Sequence, residues 1–331
     1  LVLVHLNKGL FFFFLLGGAI LAVSSDSWFS AWCGLELNLM SFIPFMAVKK
    51  DMYTSESSLK YFLIQALGSA IIVLGCICII FIPMMKWVSA SALLLKMGAA
   101  PMHFWFPSVM SGLSWGSCMV LMSIQKLAPL GLLSYIVGSM ENSYMIMVSI
   151  VLGAFVGSVG GLNQVFLRKI MAYSSINHMS WMLVAMLVGD RCWTLYYMFY
   201  VLVSGSVLYL FYSQQMYHIS HMGTYKWSFL SMLTFMCLLS LGGLPPFTGF
   251  IPKWFVIQEM MNMSFYFPLF FLLSGTLISL YYYLRLIFMS LTVSSLSLKW
   301  GKEFFFSSKK MSLYMYISIV GLFLPSFFFF I

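Results

Sequence analysis

Runs of about twenty apolar residues follow one another almost from end to end of this sequence, and that recurrence restricts the folds open to it. Inside a bilayer no water satisfies backbone N–H and C=O groups, so a spanning segment is either a helix or part of a closed barrel. Barrel strands would alternate apolar and polar residues in segments of about ten, and no such alternation is present. Charged residues are 8% of the 331, against about 25% in soluble chains. The sequence therefore predicts an all-α polytopic membrane protein.

The apolar runs define about eleven transmembrane segments, near 3–23, 27–48, 59–82, 88–107, 115–138, 144–166, 169–188, 193–213, 228–262, 266–290 and 311–331. Loop charge tests that count. The loops after the second, sixth, eighth and tenth segments share one side of the membrane and carry Lys49, Lys50, Arg168, Lys169, Lys226, Lys299, Lys302, Lys309 and Lys310. The opposite loops offer little beyond Lys86 and Arg191. By the positive-inside rule the N-terminus is expected on the basic side and the C-terminus opposite. The formal charge of +9 thus reads as topology control, and no nucleic-acid partner is expected. The first run reads as the first of many spans rather than as a cleavable signal, and no Arg-rich transit peptide is seen. The cysteines (33, 76, 78, 118, 192 and 237) lack metal-ligand spacing, so inert thiols and no metal site are expected. No G-x-G-x-x-G followed by a distant acid occurs, so no dinucleotide site is expected on this chain.

Two segments are interrupted in their middle. In Leu93-Leu-Leu-Lys96-Met-Gly98-Ala-Ala-Pro101-Met-His103-Phe-Trp105-Phe-Pro107, Pro101 lacks an N–H and clashes with the carbonyl of Met97, while Gly98 weakens the helix beside it. In Leu241-Gly-Gly-Leu-Pro245-Pro246-Phe-Thr-Gly249-Phe-Ile-Pro252-Lys253, prolines and glycines again cluster within apolar sequence. Each break carries a lysine, Lys96 and Lys253. An ammonium near mid-bilayer costs about 2.5–3.5 kcal/mol on insertion scales, so each needs a partner or a use. Lys126, in Gln125-Lys126-Leu-Ala-Pro129, is a third deep lysine, and Pro129 is expected to break the helix locally by freeing the carbonyl of Gln125.

Other deep ionisable groups admit two readings. Glu36, with Asn38 close by, is either a protonated acid hydrogen-bonded to a neighbouring helix or a carboxylate partner for a buried lysine. His103 lies just beyond the Lys96 break. His178 fits a satisfied buried hydrogen-bonder and a proton relay equally well. Arg285 is expected to reach water at the basic face. Gly153, Gly157, Gly160 and Gly161 are spaced for close helix packing.

The two broken segments are five apart. If residues 1–138 and 139–290 each hold five helices, with 291–331 a basic loop and last helix, the odd repeat length makes the halves an inverted repeat, as in secondary transporters. Glu36 then pairs by position with His178, and Lys126 with Arg285.

Six stretches in order resemble the antiporter-like membrane subunits of mitochondrial respiratory complex I. They are Trp32-Cys-Gly-Leu-Glu36-Leu-Asn38, Lys60-Tyr-Phe-Leu-Ile-Gln65, Lys96 through Trp105, Gln125-Lys126-Leu-Ala-Pro129, Gly160 through Ser175, and Ser240 through Trp254. They span most of the chain between about 28 and 290. Ser180 stands where many relatives have glycine. The resemblance implies a place in the mitochondrial inner membrane among other membrane-arm subunits and lipids, with the basic loops facing the matrix. It implies Glu36 and Lys96 as paired acid and base, Lys126 as a central relay and Lys253 as the second-half lysine, with His103 a weaker candidate. NADH, FMN, Fe–S clusters and ubiquinone would all act on other subunits, leaving this chain without a cofactor.

The residues point to a proton or ion path, and the resemblance implies that it serves a redox-driven NADH:ubiquinone reductase. Burial disfavours an ammonium and a nearby carboxylate favours it, so a change at Glu36 would switch Lys96 between holding and releasing a proton. Two alternatives stay open on the sequence: a stand-alone cation/proton antiporter, and a non-transporting subunit whose buried charges only fix packing.

Overall fold

A computed structural model describes residues 2–47, 51–81, 86–137, 140–223, 229–245 and 247–294. The described residues form helices α1 (Val2–Val23), α2 (Trp28–Met46), α3 (Met52–Phe81), α4 (Lys86–Met97), α5 (Trp105–Gly112), α6 (Trp115–Met122) and α7 (Ile124–Ile136). They continue as α8 (Met140–Leu162), α9 (Leu167–Val188), α10 (Asp190–Ser213), α11 (Phe229–Gly242), α12 (Phe250–Asn262) and α13 (Tyr266–Ser294). Five stretches, Met52–Ile79, Trp115–Ile136, Tyr144–Leu162, Asp190–Ser213 and Tyr266–Met289, are each long and apolar enough to cross a membrane. The chain is an all-α multi-pass membrane protein. Ten of the expected segments correspond to these helices. The eleventh, with the loop lysines at 49, 50, 226, 299, 302, 309 and 310 and with Pro246, lies outside the described residues.

Both expected interruptions are present. The fourth segment is α4 and α5 separated by residues 98–104, and the ninth is α11 and α12 separated by 243–249. The fifth segment differs from expectation. Pro129 lies inside α7, and the interruption comes earlier, at Ser123, whose backbone (φ −105°, ψ −91°) leaves the helical region. The Ser123 hydroxyl donates to the Met119 carbonyl at 2.6 Å, a back-bond that competes with the helical ladder. The new helix then starts close enough upstream to hold the proline in its second turn.

The chain divides into two compact units, Leu1–Gly153 and Ala154–Ile331. In the first, α1 lies along α2, and α3 packs against α2, α4 and α5, with α7 against α1 and α4. A Cβ on Gly34 would sit 2.6 Å from the Ala22 nitrogen, so the α1 and α2 backbones touch there. In the second unit, α9 packs against α10, α12 and α13. The chain ahead of α9 pairs with the chain after α10 through Leu167 N–H to Tyr217 O (3.1 Å) and Ile219 N–H to Val165 O (3.2 Å). Arg285 does not simply reach for water: its guanidinium donates to the carbonyls of Leu162 and Gln164, closing the C-terminal end of α8.

Three glycines of the sixth segment, Gly157, Gly160 and Gly161, pack helices, as their spacing suggested. A Cβ on Gly157 would meet the Asn177 nitrogen at 2.6 Å, and Gly160 and Gly161 face the rings of Tyr173 and Tyr282. Because backbone cannot yield as a side chain can, Gly157→Ala is expected to destabilise the protein by about 1–3 kcal/mol. The check is the thermal unfolding midpoint in detergent, which falls if α8 and α9 meet this closely and is unchanged if they do not.

Candidate functional site

Each interrupted helix ends in the same backbone device. At the end of α4, Gly98 takes φ +71°, its N–H bonds the Leu95 carbonyl (3.1 Å), and the Ala99 N–H bonds the Leu94 carbonyl (3.0 Å). At the end of α11, Gly243 takes φ +78°, its N–H reaches the Ser240 carbonyl (3.0 Å), and the Leu244 N–H bonds the Leu239 carbonyl (3.4 Å). This pair of bonds around a left-handed residue is the Schellman motif, and glycine occupies the left-handed position because a Cβ there costs about 1–2 kcal/mol. The Ala100–Pro101 peptide bond is cis.

The motif leaves later carbonyls of each helix without helical donors, and the two breaks supply different ones. At α4, Gln65 Nε2 donates to the Lys96 carbonyl (3.0 Å), while Trp105 Nε1 is a second donor (3.0 Å) to the Leu95 carbonyl already bonded by Gly98. At α11, Lys253 supplies the donor itself, its Nζ donating to the carbonyls of Gly242 (2.9 Å) and Leu241 (3.5 Å). A Cβ on Gly243 would come within 2.8 Å of that Nζ, so the glycine serves both the turn and the ammonium.

The three lysines singled out in the sequence are buried: Lys96 is 5% exposed, Lys126 2% and Lys253 6%. Their settings differ. Lys96 lies in the last turn of α4, where the helix dipole favours a cation. Lys253 begins on α12 and crosses to the carbonyl end of α11. Lys126 starts in the first turn of α7, where the dipole opposes a positive charge, and its Nζ lies 4.9 Å from the centre of the Phe106 ring.

The first unit brings Glu36, Lys96, Lys126 and His103 onto or beside packed helices. Glu36 is half-buried on α2 and acts through space on Lys96, but the two form no direct ion pair among the described residues. His103 is buried in the break, with Nδ1 3.1 Å from the Pro101 carbonyl and its ring against Phe104. In the second unit, His178 on α9 places Nδ1 3.0 Å from the Tyr196 hydroxyl, with the Tyr200 ring 5.3 Å away. α12, which carries Lys253, packs against α9.

A polar chain connecting these helices had been assigned no role from sequence. Gln125 Nε2 donates to Asn38 Oδ1 (2.9 Å) and the Tyr61 hydroxyl donates to Gln125 Oε1 (3.0 Å), so α2, α7 and α3 are linked through the residue next to Lys126. The available signal was Tyr61 and Gln65 four residues apart, which puts two polar groups on one face of the helix as it enters its apolar run.

The profile of the family described as "NADH:quinone oxidoreductase/Mrp antiporter, TM" matches residues 25–86 and 82–279. The chain is 44% identical to NADH-ubiquinone oxidoreductase chain 2 of Anopheles gambiae and 41% identical to that of Aedes aegypti, covering 96% of each chain in both cases. Among solved structures it is similar to a chain of respiratory complex I from Thermus thermophilus, with TM-score 0.82, 22% identity and coverage of 96% of this chain and 76% of that one. It also resembles a chain of the Mrp complex from Dietzia, with TM-score 0.70, 14% identity and coverage of 89% and 61%. These last two likenesses concern the fold.

Gly243→Ala is expected to cost about 1–2 kcal/mol from the left-handed backbone alone, with further loss as the Lys253 ammonium is displaced. Gly116→Ala, where no atom lies within 4 Å, should be neutral or gain up to about 1 kcal/mol of helix propensity. Thermal unfolding of the two variants side by side checks both expectations.

Proposed function

The chain belongs to the NADH:quinone oxidoreductase/Mrp antiporter membrane family, in its NADH-ubiquinone oxidoreductase chain 2 branch, and on that premise we propose that it forms part of the proton path of a redox-driven NADH:ubiquinone reductase. The observation that supports this most is the placing of buried lysines at helix interruptions. Lys96 and Lys253 each stand at a Schellman-capped break, and Lys126 follows the break at Ser123. Interrupted backbone at membrane depth is tolerated where protein or water meets its polar groups, and that is where a proton can be handed on.

Glu36 and Lys96 form the input pair. A shift of the carboxylate changes how strongly Lys96 holds its proton, because burial opposes the ammonium and the acid favours it. Lys126 and Lys253 carry the proton onward, and His103 and His178 are further relays. Moving one charge against 100 mV costs about 2.3 kcal/mol, which must come from electron transfer elsewhere. NADH, FMN, Fe–S clusters and ubiquinone belong to other subunits of the assembly, which are this chain's partners together with inner-membrane lipids. The chain lies in the mitochondrial inner membrane with its N-terminus on the matrix side, and residues 1–138 and 139–290 act as two five-helix repeats.

Native electrophoresis of mildly solubilised inner membranes tests the assignment. Co-migration with a large band that stains for NADH dehydrogenase is expected, whereas migration alone would favour a stand-alone antiporter. In the assembled complex, Lys96→Ala and Lys126→Ala are each expected to lower proton translocation per complex several-fold. Unchanged pumping in both would leave the buried charges with packing as their sole role.

A further inference from the structure

Helix α3 presents two distinct faces. Phe62, Leu63, Leu67 and Leu74 are exposed, as a surface turned towards lipid or a neighbouring subunit requires. Tyr61, Gln65 and Gly68 are buried along the opposite stripe, at the spacing of successive helical turns. All three touch the lysine-bearing elements. Tyr61 holds Gln125, the neighbour of Lys126, and its ring stands 6.0 Å from that of Trp105. Gln65 holds the main-chain carbonyl of Lys96. Gly68 leaves the space in which the Lys96 stem lies, since a Cβ there would be 3.0 Å from Lys96 Cγ and 3.2 Å from Leu95 Cδ2.

The two breaks differ in one respect that gives this stripe a purpose. At the second break the lysine ammonium is itself the donor to the helix-end carbonyls. At the first, the acceptor equivalent to Leu241 is the Lys96 carbonyl, and a neutral side chain, Gln65, occupies it, while Trp105 donates one residue earlier, to the Leu95 carbonyl that the Gly98 N–H already meets. A helix C-terminus attracts its own last-turn lysine, so without those donors the Lys96 ammonium would be drawn back onto the end of α4.

We infer that Gln65, together with Gly68, is a positioning residue for Lys96: the amide caps α4 in place of the ammonium, and the glycine sets where the lysine stem runs. The proton-carrying group is thereby released from a structural duty that its counterpart Lys253 performs. This inference rests on Lys96 being a proton carrier, as proposed above.

Two substitutions act on the two contacts separately. Gln65→Met keeps the length and bulk of the side chain but removes the donor. Gly68→Ala raises the helix propensity of α3 and pushes on the Lys96 and Leu95 side chains, and any loss of folding from that contact shows separately as less assembled complex. Both are measured in the assembled complex, with Lys96→Ala beside them. Proton translocation per complex is read in sealed membrane vesicles across a range of pH, and the amount of complex is taken from the native gel. The expected result is a several-fold fall in translocation per complex and an altered pH profile in both variants. Wild-type rates and profiles in both, with Lys96→Ala impaired, would overturn the positioning role and leave the Lys96 assignment standing. Wild-type behaviour in Lys96→Ala as well would remove both. If Gln65→Met does not assemble, Gly68→Ala decides the question, because it keeps the Gln65 amide on α4 and meets only flexible side chains.

Discussion

A backbone carbonyl at the end of a membrane helix that stops inside the bilayer has no water to turn to, and this structure is arranged around finding donors for such groups. At α4 and α11 the first of them are met by backbone N–H groups through a left-handed glycine. Later ones take side-chain donors, Gln65 at one break and Lys253 at the other. A buried unsatisfied polar group costs about 1–3 kcal/mol, so these contacts fix which helices must lie together. α3 is tied to α4 by Gln65 and to α7 by Tyr61, and α12 is tied to α11 by Lys253.

The same constraint places the chemistry. An intact helix satisfies its own carbonyls and offers nothing to a buried cation. A broken one exposes the negative end of its dipole at membrane depth, where a lysine can reside without a carboxylate in direct contact. Lys253 reaches such an end from the next helix, while Lys96 belongs to the last turn of the other broken helix. Lys126 has the reverse setting, at the start of α7 and against the Phe106 ring. Three buried amines in three electrostatic environments respond differently to a charge appearing nearby, and a directional transfer requires that inequality.

Much of this was legible in the sequence because it depends on local rules. Apolar runs give spans, and clustered Gly and Pro give interruptions, so α4/α5 and α11/α12 were placed by Gly98, Pro101 and Pro245 within the described residues. Gly157, Gly160 and Gly161 were readable as helix-contact positions from spacing alone. The interruption near Lys126 was misplaced at Pro129, since a proline advertises itself and the back-bonding hydroxyl of Ser123 does not. The donors were not legible either. Gln65 reaches a carbonyl 31 residues away and Gln125 reaches Asn38 across 87, and pairings of that range depend on which helices pack, which no local pattern specifies. The closure of α8 by Arg285 was not legible for the same reason.

The central claim is that these buried lysines exchange protons during turnover rather than remaining fixed charges. Infrared difference spectroscopy of the assembled complex, triggered by NADH and carrying heavy-nitrogen-labelled lysine, reads that exchange directly. The account predicts isotope-sensitive ammonium bands on reduction that diminish in Lys126→Ala. Identical difference spectra from wild type and Lys126→Ala would contradict it.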